Sequence, residues 1–290
     1  MRIGSFAGRG VVVSGASTGI GEAVALHLDG LGFTVFAGVR KTSDGENLRS
    51  RASERLTPIY LDVTDADGIA ESVAVVRQVM GENGLAGLVN NAGIAVASPL
   101  EFLPIPELRR QLEVNVIGQL AVTQAYLPLL RQGEGRIVFI SSISARVAAP
   151  FLGPYACSKF ALEALADSLR RELLSWDLHV AIIQPGRIAT PIWEKSLTAA
   201  DELAARLDPA AQDYYGSAMA FTRQRIAQRR GGTPVERVAE VTAHALTSPR
   251  PKIRYLVGRD ARIGALLAWL LPNRWTDNLI ARQRGIKRAK

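Results

Sequence analysis

The chain carries a tyrosine and a lysine four residues apart, in the segment Tyr155-Ala156-Cys157-Ser158-Lys159. On a helix this spacing places the two side chains on one face, one turn apart. A free phenol has a pKa of about 10, and a neighbouring cation lowers that value by stabilising the phenolate. Tyr155 is therefore a candidate proton donor and acceptor. Since such pairs also occur on ordinary helix faces, the interpretation depends on the rest of the chain.

A glycine-rich segment, Gly15-Ala16-Ser17-Thr18-Gly19-Ile20-Gly21, is the second candidate for chemistry. It follows an apolar run at 10–14 and precedes a helical pattern at 22–31. In this context close backbone approach and exposed N–H groups hold a pyrophosphate. A simple turn is the alternative, but the coincidence of strand, glycines and helix favours a dinucleotide site.

Short apolar, β-branched runs alternate with helical patterns along most of the chain, which is typical of a parallel sheet covered by helices on both faces. The expected strands are 10–14, 33–39, 58–61, 85–90, 136–141, 180–184 and 253–257, and the expected helices include 22–31, 65–80, 105–131 and 155–175. The sequence thus predicts an α/β doubly wound sheet of about seven strands. We expect one domain over residues 1–258, followed by a basic helical extension over 259–290.

Composition indicates which classes of protein the chain can belong to. The 290 residues are 48% hydrophobic, which suits a large buried core. The longest uncharged apolar run, 263–271, is about half of the roughly 20 residues that a membrane-spanning helix needs. One cysteine excludes an internal disulfide, three histidines form no metal-binding pattern, and no metal is expected. With no sign of a signal peptide, we expect a cytoplasmic protein.

The C-terminal segment is basic: residues 250–290 hold eleven Arg and Lys against two Asp, an excess greater than the net charge of the whole chain, +8. Residues 261–272 predict a short apolar helix that Pro272 ends, and 275–284 predict another. A peripheral membrane contact, a lid on a substrate cleft and a subunit interface all fit this pattern. A nucleic-acid role is not expected, because the sequence shows no zinc finger, recognition helix or arginine-glycine repeat.

Several motifs in a fixed order resemble the short-chain dehydrogenase/reductase family over about residues 8–258. They are Ser14-Gly15-Ala16-Ser17-Thr18-Gly19-Ile20-Gly21, Asp62-Val63, Asn90-Asn91-Ala92-Gly93, Val114-Asn115-Val116, Ser142 thirteen residues before Tyr155, and Pro185-Gly186-Arg187-Ile188-Ala189-Thr190. The phrase around Tyr155 is similar to the branch that holds hydroxysteroid and retinol dehydrogenases.

The resemblance implies an oxidoreductase that transfers hydride between a nicotinamide cofactor and a carbonyl or alcohol. It implies a catalytic set of Asn115, Ser142, Tyr155 and Lys159. Tyr155 would exchange the proton, and Ser142 would orient the substrate oxygen. Lys159 would lower the pKa of Tyr155 and bind the nicotinamide ribose, and Asn115 would hold a water that links Lys159 to solvent.

The cofactor-binding set implied by the resemblance is Gly15, Ser17, Thr18, Gly19, Ile20, Gly21, Arg40, Asp62, Val63, Asn91, Gly93, Tyr155, Lys159, Pro185, Gly186, Ile188 and Thr190. Cofactor choice depends on the end of the second strand, where an acid selects NAD and an arginine accommodates NADP. Val39 takes the place of the acid, and Arg40 and Lys41 follow. A 2′-phosphate would meet cations and no carboxylate, so NADP(H) is favoured and NAD(H) is the alternative.

The expected substrate is a lipophilic alcohol or ketone, steroid-like or retinoid-like, under a lid at about 190–230. Ile192 and Leu197 belong to this lid segment, and the candidate lining residues are Trp193, Tyr214, Tyr215, Met219 and Phe221. The resemblance also implies a homodimer or homotetramer through the helices at 105–131 and 155–175. Cys157 is expected to be small, partly buried and not catalytic. A redox sensor or scaffold without turnover is the alternative function.

Overall fold

One parallel sheet organises the molecule. The computed structural model describes residues 6–190, 192–228 and 231–286, without the side chains of 192–195 and 226–228. The strands are β1 (Gly10–Val13), β2 (Thr34–Val39), β3 (Leu56–Tyr60), β4 (Leu85–Asn90), β5 (Arg136–Ile140), β6 (His179–Pro185) and β7 (Arg254–Val257). They are ordered β3-β2-β1-β4-β5-β6-β7, and every neighbouring pair is parallel. The predicted α/β doubly wound sheet of seven strands is confirmed.

The central strands form because their apolar residues can be buried on both faces of the sheet, as parallel strands require. In β1, Val11 and Val13 belong to the core on one face, and Val12 belongs to the core on the other. All three are fully buried. Val12 pairs in register with Phe36 of β2 and Leu88 of β4, so the middle of the sheet is rigid and places the strand ends accurately.

Eleven α-helices are found in the described residues. They are α1 (Gly19–Gly30), α2 (Thr42–Arg49), α3 (Ala66–Met80), α4 (Ile105–Leu112), α5 (Gly118–Gln132), α6 (Gly153–Glu172), α7 (Ile192–Ala204), α8 (Pro209–Gln228), α9 (Val235–Thr247), α10 (Arg259–Leu270) and α11 (Asn273–Gln283). Helices α1 and α9 contribute to the core on one face of the sheet, and α3, α5 and α6 contribute to the core on the other. Among these described helices, none is long and apolar enough to cross a bilayer.

The sequence-based elements differ from the structure at several places, including the unpredicted helices α7 and α8. The expected helix over 105–131 is interrupted by a π-helical turn at Glu113–Ile117, between α4 and α5. Helix α2 was not predicted because Leu48 is its one large buried side chain, which leaves no periodicity to detect. Helix α9 was also missed, although its buried Val238, Ala239, Thr242 and Leu246 recur at helical spacing.

The strand order reverses direction between β1 and β4. In a doubly wound sheet, the loops after the two strands at this point diverge and leave a crevice at their carboxyl ends. The loops that follow β1, β4, β5 and β6 therefore meet at one edge of the sheet. They contain the glycine segment, Asn91, Ser142 and Gly186, so the topology brings together residues that lie far apart in sequence.

Candidate active site

The turn after β1 needs glycine at three positions. Gly15 and Gly19 have φ angles of +63° and +65°, in the left-handed region that favours glycine. A Cβ on Gly15 would lie 2.8 Å from the Cα of Ala92, and one on Gly21 would collide with the carbonyl of Gly15. Helix α1 begins immediately, and its N-cap residue Thr18 makes no side-chain capping bond. The first N–H groups of α1 are thus left for an anion.

A hydrogen-bond network fixes this turn to the loop after β4. The Ser14 hydroxyl accepts from the N–H groups of Asn91 (3.0 Å) and Ala92 (3.1 Å). In return, the Asn91 side chain donates to the carbonyl oxygens of Ser14 and Gly15, both at 3.0 Å. Ser14 and Asn91 thus join the ends of β1 and β4.

A cleft of about 430 Å³ runs along this edge of the sheet, from the glycine turn past Asp62 and Val63 to Tyr155 and Thr190. It is lined by every member of the expected cofactor-binding set except Gly21. Ser142 also lines it, and Asn115 does not. The glycine cradle, the uncapped helix N-terminus and the elongated cleft fit a dinucleotide. Among the residues that the structure describes, no group of His, Cys, Asp or Glu is arranged to hold a metal.

Ser142 and Tyr155 are brought together by the end of β5 and the first turn of α6. The Ser142 hydroxyl caps a short 3₁₀ turn by accepting from the N–H of Ser144 at 3.1 Å. Burial raises the pKa of Tyr155, and a hydrogen bond with Ser142 offsets part of that rise. The net effect is a raised pKa, and the lowering contribution expected from Lys159 stays a prediction.

Lys159 is almost fully buried, with 4% of its surface exposed. Its ammonium donates to the carbonyl of Ile140 at 2.8 Å and lies 5.7 Å from the centre of the Tyr155 ring. Burial lowers the pKa of Lys159 to about 8, and the Glu163 carboxylate opposes that change. The pKa of Lys159 is thus much closer to neutral pH than that of an exposed lysine.

Asn115 lies in the π-helical turn and has no exposed surface. Its side-chain oxygen accepts from the N–H of Ile94 (2.8 Å), and its amide donates to the Ile94 carbonyl (3.0 Å) and to the Ser158 hydroxyl (3.1 Å). These bonds join the loop after β4 to α6 between Tyr155 and Lys159.

The end of β2 differs from the sequence-based expectation. The Arg40 side chain is 72% exposed and lies 3.9 Å from a carboxylate oxygen of Asp62. Asp62 in turn accepts from the N–H and hydroxyl of Thr64. The expectation that no carboxylate lies beside Arg40 is wrong, because the loop after β3 brings Asp62 to this end of the cleft.

The expected lid region forms α7 and α8. From α7, Ser196 and Ala199 line the cleft, whereas Leu197, Tyr214, Tyr215, Met219 and Phe221 are not among its lining residues. Tyr215 instead donates to Glu101 at 2.7 Å and packs edge-on against Phe102 and Phe151. The side chains of Ile192 and Trp193 lie outside the described residues.

Cys157 is exposed on α6, which corrects the expectation of a partly buried side chain. The turn of the helix places it away from Tyr155 and Lys159, because residues two apart point to different faces. The neighbouring Ala156 and Ser158 are buried instead.

The loop after β6 is held by a residue that sequence reasoning missed. The Asp260 carboxylate, in the first turn of α10, accepts from the backbone N–H of Arg187 at 2.6 Å. It also contacts Gly186 so closely that a Cβ there would collide with it. The N–H of Gly186 donates to Val257 of β7 at 2.8 Å. Because Asp260 and Arg187 lie 73 positions apart, no local sequence pattern indicates this contact.

Further lining residues were also missed, and they are mostly apolar or backbone contributors without a motif of their own. They are Gly38, Val39, Leu61, Thr64, Ala92, Ile94, Ala95, Arg110, Val114, Ile140, Ser141, Ser196 and Ala199. Most lie within a few residues of a recognised motif, so adjacency to the motifs was the available signal.

Comparison with known proteins agrees with this geometry. A family model described as short chain dehydrogenase matches residues 9–201. Mouse retinol dehydrogenase 5 is 39% identical over 277 residues, covering 93% of this chain and 87% of that protein. An NADPH-dependent 3-dehydrocapnine reductase from Ornithobacterium rhinotracheale is 35% identical over 277 residues, covering 93% and 95%. Bovine 17-beta-hydroxysteroid dehydrogenase type 6 is 36% identical over 280 residues, covering 94% and 87%.

A solved short-chain dehydrogenase from Streptomyces avermitilis superposes with a TM-score of 0.76 at 26% identity, covering 97% of this chain and 98% of that one. Fold, family match and relatives therefore agree. The chain belongs to the short-chain dehydrogenase/reductase family and is an NAD(P)-dependent oxidoreductase that acts on CH–OH groups.

Proposed function

We propose that this enzyme interconverts a lipophilic alcohol and the corresponding ketone or aldehyde, with NADP(H) as the preferred cofactor. One observation carries the proposal: Ser142, Tyr155 and Lys159 line the same cleft as the glycine turn. The names of two relatives, a retinol dehydrogenase and a 17-beta-hydroxysteroid dehydrogenase, support the substrate class.

The proton chemistry is assigned to Tyr155. A bound nicotinamide supplies or accepts the hydride at the carbinol carbon. The Tyr155 hydroxyl donates a proton to the carbonyl oxygen as negative charge develops there, and removes it in the opposite direction. Burial keeps the phenol protonated at neutral pH, which suits the donor role in reduction. Ser142 holds the same oxygen in place by a hydrogen bond.

Lys159 and Asn115 support the proton transfer that Tyr155 performs. In this proposal the buried ammonium of Lys159 stabilises the phenolate that remains after proton transfer and binds the nicotinamide ribose. Asn115 fixes the π-helical turn against Ile94 and Ser158, which aligns the loop after β4 with α6. We assign it the water that links Lys159 to solvent.

The preference for NADP(H) rests on Arg40, with Lys41 next to it. An exposed guanidinium at the end of β2 suits a 2′-phosphate, which it can bind through two hydrogen bonds. Asp62 opposes this preference, because its carboxylate lies 3.9 Å from Arg40. The name of the 3-dehydrocapnine reductase, which is NADPH-dependent, gives independent support.

We also propose that residues 1–258 form the catalytic domain, that the helices at about 190–230 form its substrate lid, and that the chain assembles as a homodimer or homotetramer. The lid is supported by Ser196 and Ala199, which line the cleft from α7. The assembly is supported by exposed apolar side chains beside the long helices, Ile117 and Phe160. Sedimentation of the purified protein tests the assembly.

Nicotinamide fluorescence tests the cofactor assignment. Titration of the purified protein with NADPH and NADH should show tighter NADPH binding, and Arg40→Ala should remove the difference by weakening NADPH alone. Arg237→Ala, an exposed arginine paired with Glu240 on α9, is the control and should bind as the parent does. Equal or tighter NADH binding would refute the role of Arg40, and no binding of either cofactor would favour a scaffold without turnover.

A further inference from the structure

Helix α10 carries a continuous exposed stripe that is both apolar and basic. The residues follow one another at spacings of three and four, so they share one face. They are Arg259, Arg262, Ile263, Leu266, Trp269 and Leu270, and all of them are exposed. Trp269 has 80% of its surface exposed. A contiguous exposed apolar stripe, unlike a single exposed aromatic side chain, indicates a binding surface.

The opposite face of α10 is packed against the catalytic domain. Ala261 and Ala265 are buried, and Gly264 lies against the side chain of Ile143, the residue after Ser142. The Asp260 carboxylate in the first turn accepts from the N–H of Arg187. The helix is therefore fixed beside the active site, with its apolar stripe directed away from the domain.

Helix α11 extends the same kind of surface. Trp275 is 68% exposed, and Leu279 and Arg282 follow it at spacings of four and three. The end of this helix packs on the lid, since Arg225 of α8 donates to the Gln283 carbonyl at 3.2 Å and Gly285 lies against Phe221. The two C-terminal helices thus join the surroundings of Ser142 to the lid.

We propose that α10 and α11 dock on the surface of an anionic lipid bilayer. Trp269 and Trp275 would enter the interfacial region, where tryptophan is favoured, and the arginines would contact lipid phosphates. The helix that carries the docked stripe packs with its other face against Ile143, beside Ser142, so a lipophilic substrate passes from the bilayer into the cleft without crossing water. This delivery step rests on the substrate class proposed above, whereas docking does not.

Charge favours a bilayer over a second copy of this chain. In the described part of the chain, neither Arg259 nor Arg262 forms an ion pair, and the Asp260 carboxylate is directed at Arg187. Two such stripes facing each other would bring like charges together. An anionic surface provides the opposite charge and an apolar layer at once.

Cosedimentation with vesicles tests docking on the full chain, without cofactor or substrate. The protein should bind phosphatidylcholine vesicles that contain phosphatidylserine more tightly than vesicles without it. Trp269→Ser should weaken binding to both by about tenfold or more, as expected for partial burial of a large apolar side chain. Arg262→Ala should weaken binding roughly fivefold on the anionic vesicles alone. Trp176→Ser, which changes a 53% exposed tryptophan after α6, is the matched control.

Two results would overturn docking: no binding to either vesicle, or equal binding by the parent and Trp269→Ser. Parent protein that fails to bind vesicles but forms a concentration-dependent dimer, lost in Trp269→Ser, would assign the stripe to a second copy instead.

Delivery is tested by turnover. Trp269→Ser should slow reduction of a long-chain ketone carried in anionic vesicles and leave reduction of a short-chain ketone in solution unchanged. Equal rates for parent and variant on both ketones would refute delivery. Vesicle binding without turnover of either ketone would leave docking established and refute the proposed function.

Discussion

The Asp260 carboxylate lies 2.6 Å from the backbone nitrogen of Arg187 and ties the first turn of α10 to the loop after β6. Pro185 at the end of β6 and Gly186, Ile188 and Thr190 of that loop line the cleft. A residue of the C-terminal extension thus positions part of the proposed cofactor site.

Replacing Asp260 should therefore weaken cofactor binding without touching the cofactor directly. We expect Asp260→Ala to raise the KM for NADP(H) roughly tenfold, because a charge-assisted hydrogen bond is worth about 1.5–3 kcal/mol. Asp260→Asn keeps an acceptor oxygen and should recover most of the affinity. Steady-state kinetics with varied cofactor would show this, and identical KM values in all three proteins would contradict the positioning role.

The glycine turn offers a matched pair of substitutions in one helix. Gly21→Ala should abolish cofactor binding, because its Cβ would collide with the Gly15 carbonyl and the Asn91 amide. Gly30→Ala, at the end of α1, meets nothing within 4 Å. It should keep cofactor affinity and stabilise the fold by up to roughly 1 kcal/mol. Fluorescence titration and thermal unfolding distinguish the two, and normal binding by Gly21→Ala would disprove the close packing described here.

Removal of the phenol should separate chemistry from binding. Tyr155→Phe deletes the proton donor while keeping the ring, so kcat should fall by roughly 10² to 10⁴. NADPH affinity should change little. Tyr214→Phe, a strongly exposed tyrosine on α8, controls for loss of a hydroxyl elsewhere. Turnover by Tyr155→Phe comparable to the parent would remove Tyr155 from the mechanism.

The pH dependence of kcat/KM should report the protonation state of Lys159. Its pKa is lowered to about 8 by burial, so the protonated form is present below this pH and is lost as pH rises through it. If protonated Lys159 supports turnover, kcat/KM should fall on the alkaline side of about pH 8.

Glu163 provides the corresponding test. Its carboxylate raises the pKa of Lys159, so Glu163→Gln should lower that pKa further and move the alkaline loss to lower pH. Glu163 accepts from Gln184 at 2.8 Å and Arg254 at 2.9 Å, which holds the charge in place. Glu172 lies on the same helix beside Ser168. Glu172→Gln makes the same charge change and should leave the pH dependence of kcat/KM unchanged. If Glu163→Gln has the same pH dependence of kcat/KM as the parent, Glu163 does not set the pKa of Lys159.

Much of the fold and site could be predicted because their signals are local. The strand-turn-helix around Gly15 and the helical spacing of Tyr155 and Lys159 are readable from short segments. Asp260, the carboxylate beside Arg40 and the raised pKa of Tyr155 depend on which distant segments meet and how much water they exclude. Those features follow from tertiary packing, which the sequence pattern does not encode residue by residue.

The π-helical turn at Glu113–Ile117 makes the chain between α4 and α5 sensitive to changes in length as well as to substitutions. A π turn holds one residue more than an α turn. Deletion of one residue from Glu113–Ile117 would restore an ordinary helix but rotate one flank by about 100° relative to the other. Either Asn115 would lose Ile94, or Tyr126 and Leu130 would leave the core that they now fill. Insertions and deletions are therefore excluded here, even where single substitutions are tolerated.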